Sequence, residues 1–161
     1  MKSSVDADSR IQSCLTNYAD MVIRIAYQNV KSTAEAEDIA QEVFLKRFTL
    51  GTDFKSPEHE KAWMIRVTVN LCKDYFKSSW FRKRAVLDDN LLSRDKNGEV
   101  LDAVMRLPVK YRNVIYLHYY EDMSVAEIAT VLQQKENTVS SWLHRARKQL
   151  KVTLTGGFDD E

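Results

Sequence analysis

Glycine, proline and cysteine are all scarce in this chain of 161 residues. Four glycines and two prolines are too few for the many tight turns of an all-β protein. Two cysteines are too few for a disulfide scaffold and are typical of a reducing cytoplasm. No apolar run approaches the roughly 18 residues of a membrane span, and the first ten residues, MKSSVDADSR, lack the apolar stretch of a signal peptide. We therefore expect a cytoplasmic protein that is neither secreted nor inserted in a membrane.

Helix-forming residues dominate what is present. Runs of Ala, Leu, Glu, Lys, Arg and Gln favour helices, and the content of 44% apolar and 29% charged residues is typical of a folded, soluble chain. Apolar residues recur at helical spacing through the first half of the chain and again near its C-terminus. The sequence predicts an all-α fold of two small helical domains, residues 10–84 and 103–155, joined by a linker over residues 85–102.

The net charge of +1 conceals alternating blocks of opposite sign. Residues 55–84 hold eight Lys or Arg against three Asp or Glu, and residues 106–155 hold eight against four. Residues 85–105 hold two basic and five acidic side chains, which makes the predicted linker acidic. Two basic blocks around an acidic one favour two contacts with a polyanion such as nucleic acid. A scattered, solvated surface is the alternative interpretation of these charges.

The segment from Asp122 to Leu150 has the pattern of a helix-turn-helix. Residues 124–127, Ser-Val-Ala-Glu, have the spacing of a capping box and begin a short apolar helix. Residues 133–135, Gln-Gln-Lys, turn the chain, and a longer basic helix begins near Glu136. In this motif the second helix enters the major groove of DNA, so the segment predicts a C-terminal domain that binds duplex DNA.

The longer helix divides into an apolar and a polar side. Val139, Leu143, Ala146 and Leu150 share one stripe, and Trp142 projects beside it, so we expect Trp142 to lie in the core. The opposite side and its edges carry polar and basic residues: Asn137, Ser140, Ser141, His144, Arg145, Arg147, Lys148 and Lys151. Short polar side chains can reach base edges and cations suit phosphates. This side is therefore the candidate DNA-binding surface.

A second candidate nucleic-acid surface lies on a long helix predicted over residues 57–78. Apolar positions form two neighbouring stripes, which predicts a helix buried on two sides. The narrow remaining strip is polar: Arg66, Asn70, Lys73, Asp74 and Lys77. It leads into a segment in which Trp80 and Phe81 stand beside Arg82, the combination of rings and cations that binds single-stranded nucleic acid. A helix end that is merely basic is the alternative.

Three segments, in this order, resemble the extracytoplasmic-function (ECF) class of bacterial sigma factors. AEAEDIAQEVFLKRF is similar to the segment that binds core RNA polymerase, and HEKAWMIRVTVNLCKDYF resembles the helix that reads the −10 promoter element. The C-terminal segments LPVKYRNVIYLHYYEDMSVAEIATVL and NTVSSWLHRARKQL resemble the −35-binding domain. The resemblance covers nearly all of the chain except the first ten residues, the linker and the tail.

The resemblance implies an alternative sigma factor that binds core RNA polymerase, directs it to specific promoters and helps to open them. It implies polymerase contacts on the second helix, at Asp38, Gln41, Glu42 and Lys46. It implies a −10 surface with Asn70, Asp74 and the loop from Lys55 to His59, to which Arg66, Lys77, Trp80 and Arg82 are added from the polar strip and its continuation. It implies −35 contacts at Ser140, Ser141, His144 and Arg145, beside Asn137, Arg147 and Lys148 on the same side.

The resemblance also implies the partners and the cellular setting. Promoter DNA and core RNA polymerase are expected, together with an anti-sigma factor that is usually tethered to the membrane and would hold the protein there. A role in stress responses follows from the same class. No catalytic residue, metal, cofactor or small-molecule substrate is expected.

A stand-alone helix-turn-helix regulator that binds duplex DNA without polymerase is the alternative function. Such a regulator would need a ligand pocket, a phosphoacceptor or a dimer seam in its N-terminal domain, and the sequence indicates none of these. An enzyme is a weaker interpretation, because the sequence has no Gly-rich phosphate loop, zinc-ligand spacing or nucleophile motif.

Overall fold

The structure is a computed structural model that describes residues 4–51, 53–78 and 98–155. Its helices are α1 (Ser4–Val30), α2 (Thr33–Thr49), α3 (Pro57–Lys77), α4 (Gly98–Met105), α5 (Val109–Ile115), α6 (Val125–Leu132) and α7 (Glu136–Thr155), with a π-helical turn at Tyr116–Tyr120. No strand occurs within those ranges, and the prediction of an all-α fold is confirmed. None of the helices in the same ranges combines the length and apolar character that crossing a bilayer requires.

The chain divides into two compact units, Met1–Ala85 and Val86–Glu161. In the N-terminal unit, α1, α2 and α3 all pack against one another. The starts of α2 and α3 are fixed locally, because the Ser32 hydroxyl accepts a hydrogen bond from the Glu35 amide and the Ser56 hydroxyl accepts one from the His59 amide. The core is built from apolar side chains of all three helices: Val22, Ile25, Val30, Val43, Met64 and Ile65. Each helix therefore buries one side and leaves the other for contacts outside the unit.

Both cysteines lie inside this unit as free thiols. Cys14 and Cys72 are buried. Burial raises the pKa of the Cys72 thiol to about 12, so the thiol is protonated at neutral pH and is a poor nucleophile. Within the described residues no group of His, Cys, Asp and Glu side chains is placed to hold a metal ion. The thiols therefore act as small apolar side chains of the core.

The C-terminal unit contains the predicted helix-turn-helix. The Ser124 amide donates to Glu127 Oε1 at 3.0 Å and the Glu127 amide donates to Ser124 Oγ at 3.1 Å, which confirms the capping box at the start of α6. The helix ends at Gln133, whose φ of 56° and ψ of 47° are left-handed. Three residues later α7 begins at Glu136. Val139 and Leu143 of α7 and Ile128 of α6 are fully buried, so the two helices share one core.

The linker prediction is wrong at its C-terminal end, because α4 begins within residues 85–102. Residues 98–102 are helical, and Gly98, Ala103 and Met105 are buried where α4 packs on α7. A helix of eight residues is too short to show a clear period in sequence, and it depends on packing for its stability. The sequence Asn97-Gly98 indicated a turn more strongly than the next residues indicated a helix. Residues 85–97 of the predicted linker lie outside the described residues.

A buried cation connects α4 to α5. Arg112 is 5% exposed, and its Nη1 donates to the carbonyls of Met105 at 3.2 Å and Leu107 at 2.6 Å. Met105 is the last residue of α4, where backbone oxygens have no partner within the helix, and Leu107 lies two residues beyond it. Burial lowers the pKa of the Arg112 guanidinium to about 10, yet it stays charged at neutral pH. Arg112 therefore closes α4 and positions the start of α5.

Candidate functional site

The predicted DNA-binding side of α7 is exposed along its whole length. The exposed residues are Asn137, Ser140, Ser141, His144, Arg145, Arg147 and Lys148. The opposite side is buried at Val139, Leu143 and Ala146. The short polar side chains lie in the first two turns of α7, directly after the turn of the motif, and the cations follow one turn later. This order suits base contacts at the helix start and phosphate contacts beyond it.

One cation of this surface is held by an aromatic residue that the sequence did not predict. Arg147 Nε donates to the Tyr119 hydroxyl, and Arg147 Cζ lies 5.5 Å from the centroid of the Tyr119 ring. Tyr119 belongs to the π-helical turn that precedes α6, a feature that often occurs at functional sites. The aromatic run YLHYY was the available signal, but its contact with α7 is set by tertiary structure. Arg147 is therefore oriented before any DNA arrives.

The expectation that Trp142 lies in the core is corrected by the structure. Its side chain is half-buried at the edge of the apolar stripe of α7. Lys110 Nζ, from α5, lies 5.5 Å from the centroid of the Trp142 ring, within the range of a cation–π contact. Trp142 therefore joins α7 to α5 at the surface of the unit.

The polar strip predicted on α3 is present and exposed. Asn70, Lys73, Asp74 and Lys77 are exposed and Arg66 is half-buried. The apolar sides of α3 are buried at Met64, Ile65, Thr68, Val69, Cys72 and Tyr75 and half-buried at Ala62, Val67, Leu71 and Phe76. Asp74 Oδ1 and Lys77 Nζ are 3.8 Å apart and form an exposed ion pair. Trp80 and Arg82, predicted to continue this surface, lie outside the described residues.

The segment between α2 and α3 borders an open cleft of about 580 Å³. Lys55 in this segment and His59 in the first turn of α3 are exposed. The His59 imidazole Nδ1 and Ser56 Oγ are 2.8 Å apart, so the ring is held at the helix start. The cleft wall opposite is formed by polar residues of α1, among them Ser13 and Asn17. Of the predicted −10 residues in this region, Lys55 lines the cleft, together with both polar and apolar side chains.

The third surface is the exposed face of α2. Asp38, Gln41, Glu42 and Lys46 are all exposed, and their spacing places them on one face of the helix. Leu45 lies among them and is 63% exposed. Sequence reasoning did not include Leu45, although an apolar residue within an otherwise charged helical face was a usable signal. The face combines charges with a central apolar side chain, as in a protein-binding surface.

Comparison with known protein families identifies the family of this chain. The model of Sigma-70 region 2 matches residues 14–82, and that of Sigma-70, region 4 matches residues 97–150. The ECF RNA polymerase sigma factor SigL of Mycobacterium tuberculosis is 30% identical over 152 residues, which cover 85% of this chain and 84% of SigL. The chain belongs to the ECF family of RNA polymerase sigma factors. It is an alternative sigma factor, which directs RNA polymerase to promoters.

Other relatives of this ECF sigma factor also match it over nearly its whole length. SigV of Bacillus subtilis, an RNA polymerase sigma factor, is 29% identical over 163 residues, which cover 96% of this chain and 97% of SigV. The sigma factor RpoE of Bartonella quintana, solved in complex with the anti-sigma factor NepR, has a similar fold. Its TM-score is 0.68 at 19% identity, over 93% of this chain and 98% of RpoE. The family prediction is confirmed, and it decides against a stand-alone regulator.

Proposed function

We propose that this sigma factor uses its three exposed surfaces for three separate contacts during promoter recognition. The exposed face of α2 binds core RNA polymerase, α3 with the preceding loop reads the −10 element, and α7 reads the −35 element. One observation carries the proposal: each described residue of the three predicted sets is exposed or half-buried, while the other sides of the same helices form the cores. In this scheme residues 10–84 form one functional domain and residues 98–155 form the other, which begins with α4 rather than at residue 103.

The −35 contact is a duplex contact in this proposal. Ser140 and Ser141 can approach base edges closely because their side chains are short, and His144 presents a ring nitrogen one turn later. Arg145, Arg147 and Lys148 supply the phosphate contacts that fix the register of the helix. The affinity of this surface for duplex DNA should fall with salt by a slope of about −0.9 per phosphate neutralised.

The −10 contact is a contact with the opened strand, through which the protein helps to open promoters. Asn70 is exposed near the middle of the α3 strip, and its amide can both donate to and accept from a base edge. Lys77 at the end of the strip provides a cation for the backbone, and Trp80 with Arg82 continues the surface by stacking and charge. Lys55 and His59 contribute from the start of the same helix.

The remaining partners and properties follow from the sigma-factor role. RpoE of Bartonella quintana is bound to the anti-sigma factor NepR, and we propose that an anti-sigma factor also binds this chain, covering the α2 and α7 surfaces. Tethering of that partner to the membrane would hold the protein there until a stress signal releases it. The protein acts in the cytoplasm, where its polymerase is, and carries no catalytic activity, cofactor or small-molecule substrate of its own.

Transcription from a promoter library randomised across the −10 element tests the proposal. Holoenzyme with Asn70→Ala should lose base preference at one or two −10 positions, by about 1–3 kcal/mol, because a bidentate base contact is removed. Holoenzyme with Lys77→Ala is the matched control from the same strip, and it should weaken all sequences about equally. If Asn70→Ala lowers activity on every promoter and leaves the preferred sequence unaltered, Asn70 does not read a base and the assignment fails.

A further inference from the structure

One side chain of α2 contacts both α3 and the loop that joins them. Arg47 Nε lies 2.7 Å and Arg47 Nη2 lies 2.6 Å from Oε2 of Glu60 in α3. The two side chains are only 17% and 19% exposed, so the pair is largely withdrawn from water. Arg47 Cζ also lies 4.9 Å from the centroid of the Phe54 ring. Through Arg47, the end of one helix, the start of the next and the segment between them form one contact group.

Phe54 has a second ring against it. Its centroid lies 5.8 Å from that of Trp63, one and a half turns into α3. The loop is further attached to α1 by the ion pair of Arg10 with Asp53, at 3.4 Å, but both of these side chains are well exposed. Exposed pairs contribute little in water, whereas a charge-assisted contact shielded from water is stronger. Arg47 and Trp63 are therefore the contacts that determine where Phe54 lies.

Phe54 in turn determines where the adjacent −10 residues lie. Lys55 follows it directly in sequence and is exposed, and His59 stands on the first turn of α3 four residues later. A displacement of the Phe54 backbone carries Lys55 with it, because consecutive Cα atoms are a fixed 3.8 Å apart. The guanidinium of Arg47 is committed to Glu60 and Phe54, so its effect on promoter DNA is exerted through the loop.

We infer that Arg47 is a positioning residue for −10 recognition, which fixes the loop bearing Lys55 through its simultaneous contacts with Glu60 and Phe54. The inference rests on the proposed −10 role of this loop. Arg47 would then influence promoter preference without contacting a base. It lies on α2, whose exposed face is proposed to bind polymerase. The contact between Arg47 and Glu60 is not evident from the sequence, because the two residues are 13 positions apart.

The test uses holoenzyme containing Arg47→Lys. Lysine keeps the charge and can still pair with Glu60, but it lacks the flat guanidinium that lies against a ring. We expect the −10 preference to broaden by on the order of threefold at the positions read by the loop, the size of a lost cation–π contact. Affinity for core polymerase, the −35 preference and the melting temperature should stay near those of the wild type. Phe54→Leu should give the same −10 result, and the double variant should add nothing to it.

Arg10→Lys, at the exposed pair with Asp53, is the matched control and should leave the −10 preference unchanged. The inference is overturned if Arg47→Lys and Phe54→Leu lower transcription equally on all promoters. It is also overturned if both variants keep the wild-type −10 preference. Should Arg47→Lys not fold, Phe54→Leu alone decides between these results.

Lys55→Ala in the same library separates the two proposals. If Lys55→Ala alone broadens the preference, the loop reads the −10 element and only the role of Arg47 fails. If Lys55→Ala changes nothing, the −10 role of the loop fails and the inference falls with it.

Discussion

Trp142 shows how a single residue can contribute to stability without lying in a core. Its ring is half-buried on α7 and has the Lys110 ammonium against it. Two elements of a small unit are joined at this point, and a long side chain such as Lys110 also shields part of the ring with its methylene groups. The residue therefore links α7, the helix proposed to read the −35 element, to α5, the helix that contains Arg112.

Replacing Trp142 should destabilise the C-terminal unit moderately. A fully buried tryptophan costs about 3–5 kcal/mol when it is truncated to alanine, and the half-buried ring should cost about half of that. We expect Trp142→Ala to lower the free energy of unfolding in urea, while Trp142→Phe, which keeps a ring for Lys110, recovers part of the loss. Full stability of Trp142→Ala together with lost −35 affinity would mean that the ring contacts DNA instead.

Arg147 and Arg47 use the same chemistry in the two units. Each guanidinium makes a hydrogen bond and lies over an aromatic ring, Tyr119 in one case and Phe54 in the other. A flat, permanently charged group suits this combination better than an ammonium does. The two differ in exposure: Arg147 is exposed on the side of α7 proposed to bind DNA, whereas the Arg47 side chain is largely withdrawn from water.

At the scale of an element, α2 carries its proposed polymerase-binding residues and its packing residues on separate sides. Ala36, Ile39, Ala40 and Val43 are buried, while the opposite face presents Leu45 among charged residues. Substitutions on the exposed face should therefore change binding without changing folding. This separation makes α2 the most direct place to test the polymerase contact.

Reversing the acidic charges of α2 should weaken binding to core polymerase. Close charge pairs across interfaces are coupled by about 1.5–7 kcal/mol, so the double variant Asp38→Lys with Glu42→Lys should lose several kcal/mol in total. Leu45→Ala should add to this loss. Asp20→Lys is the matched control, because Asp20 is an exposed acid of the same unit that lies on α1 and outside the α2 face. Unaltered core affinity in the folded double variant contradicts the assignment.

The elements that sequence reasoning predicted well are those fixed by local chemistry. The capping box predicted at Ser124 is present at the start of α6, because a cap needs only residues within one turn. Apolar spacing likewise predicted the buried and exposed sides of α3 and α7. The α4 helix was missed because eight residues carry little periodicity and its stability comes from α7.

The contacts that escaped prediction join residues distant in the chain. Arg47 meets Glu60 across 13 residues, and Arg147 meets Tyr119 across 28. Neither spacing follows from helical periodicity, since each depends on how one element packs on another. The faces proposed to meet DNA and polymerase could be predicted from the sequence, whereas the contacts that orient individual side chains on them could not.

At the scale of the whole molecule, each unit has a core of its own. Val22, Ile25 and Ile65 are fully buried in the N-terminal unit, and Leu117 and Leu143 are fully buried in the C-terminal one. The two regions matched by family models, residues 14–82 and 97–150, also lie one in each unit. A core within each unit is the condition for independent folding.

Each unit should therefore fold when it is produced separately. We expect fragments 1–85 and 86–161 each to show helical circular dichroism and a cooperative thermal transition. The second fragment should melt at the lower temperature, because it has fewer residues and small units bury a smaller fraction of their surface. The full chain serves as the reference for both. A fragment without a cooperative transition would show that its core depends on the other unit.

Strained turns next to the helices make this chain less stable than it could be. Among the residues that the structure describes, three other than glycine adopt positive φ, Lys31 at 56°, Asp122 at 55° and Gln133 at 56°. A left-handed backbone costs such residues about 1–2 kcal/mol each. Natural selection keeps the stability of a protein only somewhat above the level that its function requires. The left-handed turns of this chain agree with that expectation. A more heat-resistant form of the protein is therefore accessible by small changes at its turns, with the residues that choose the promoter left as they are.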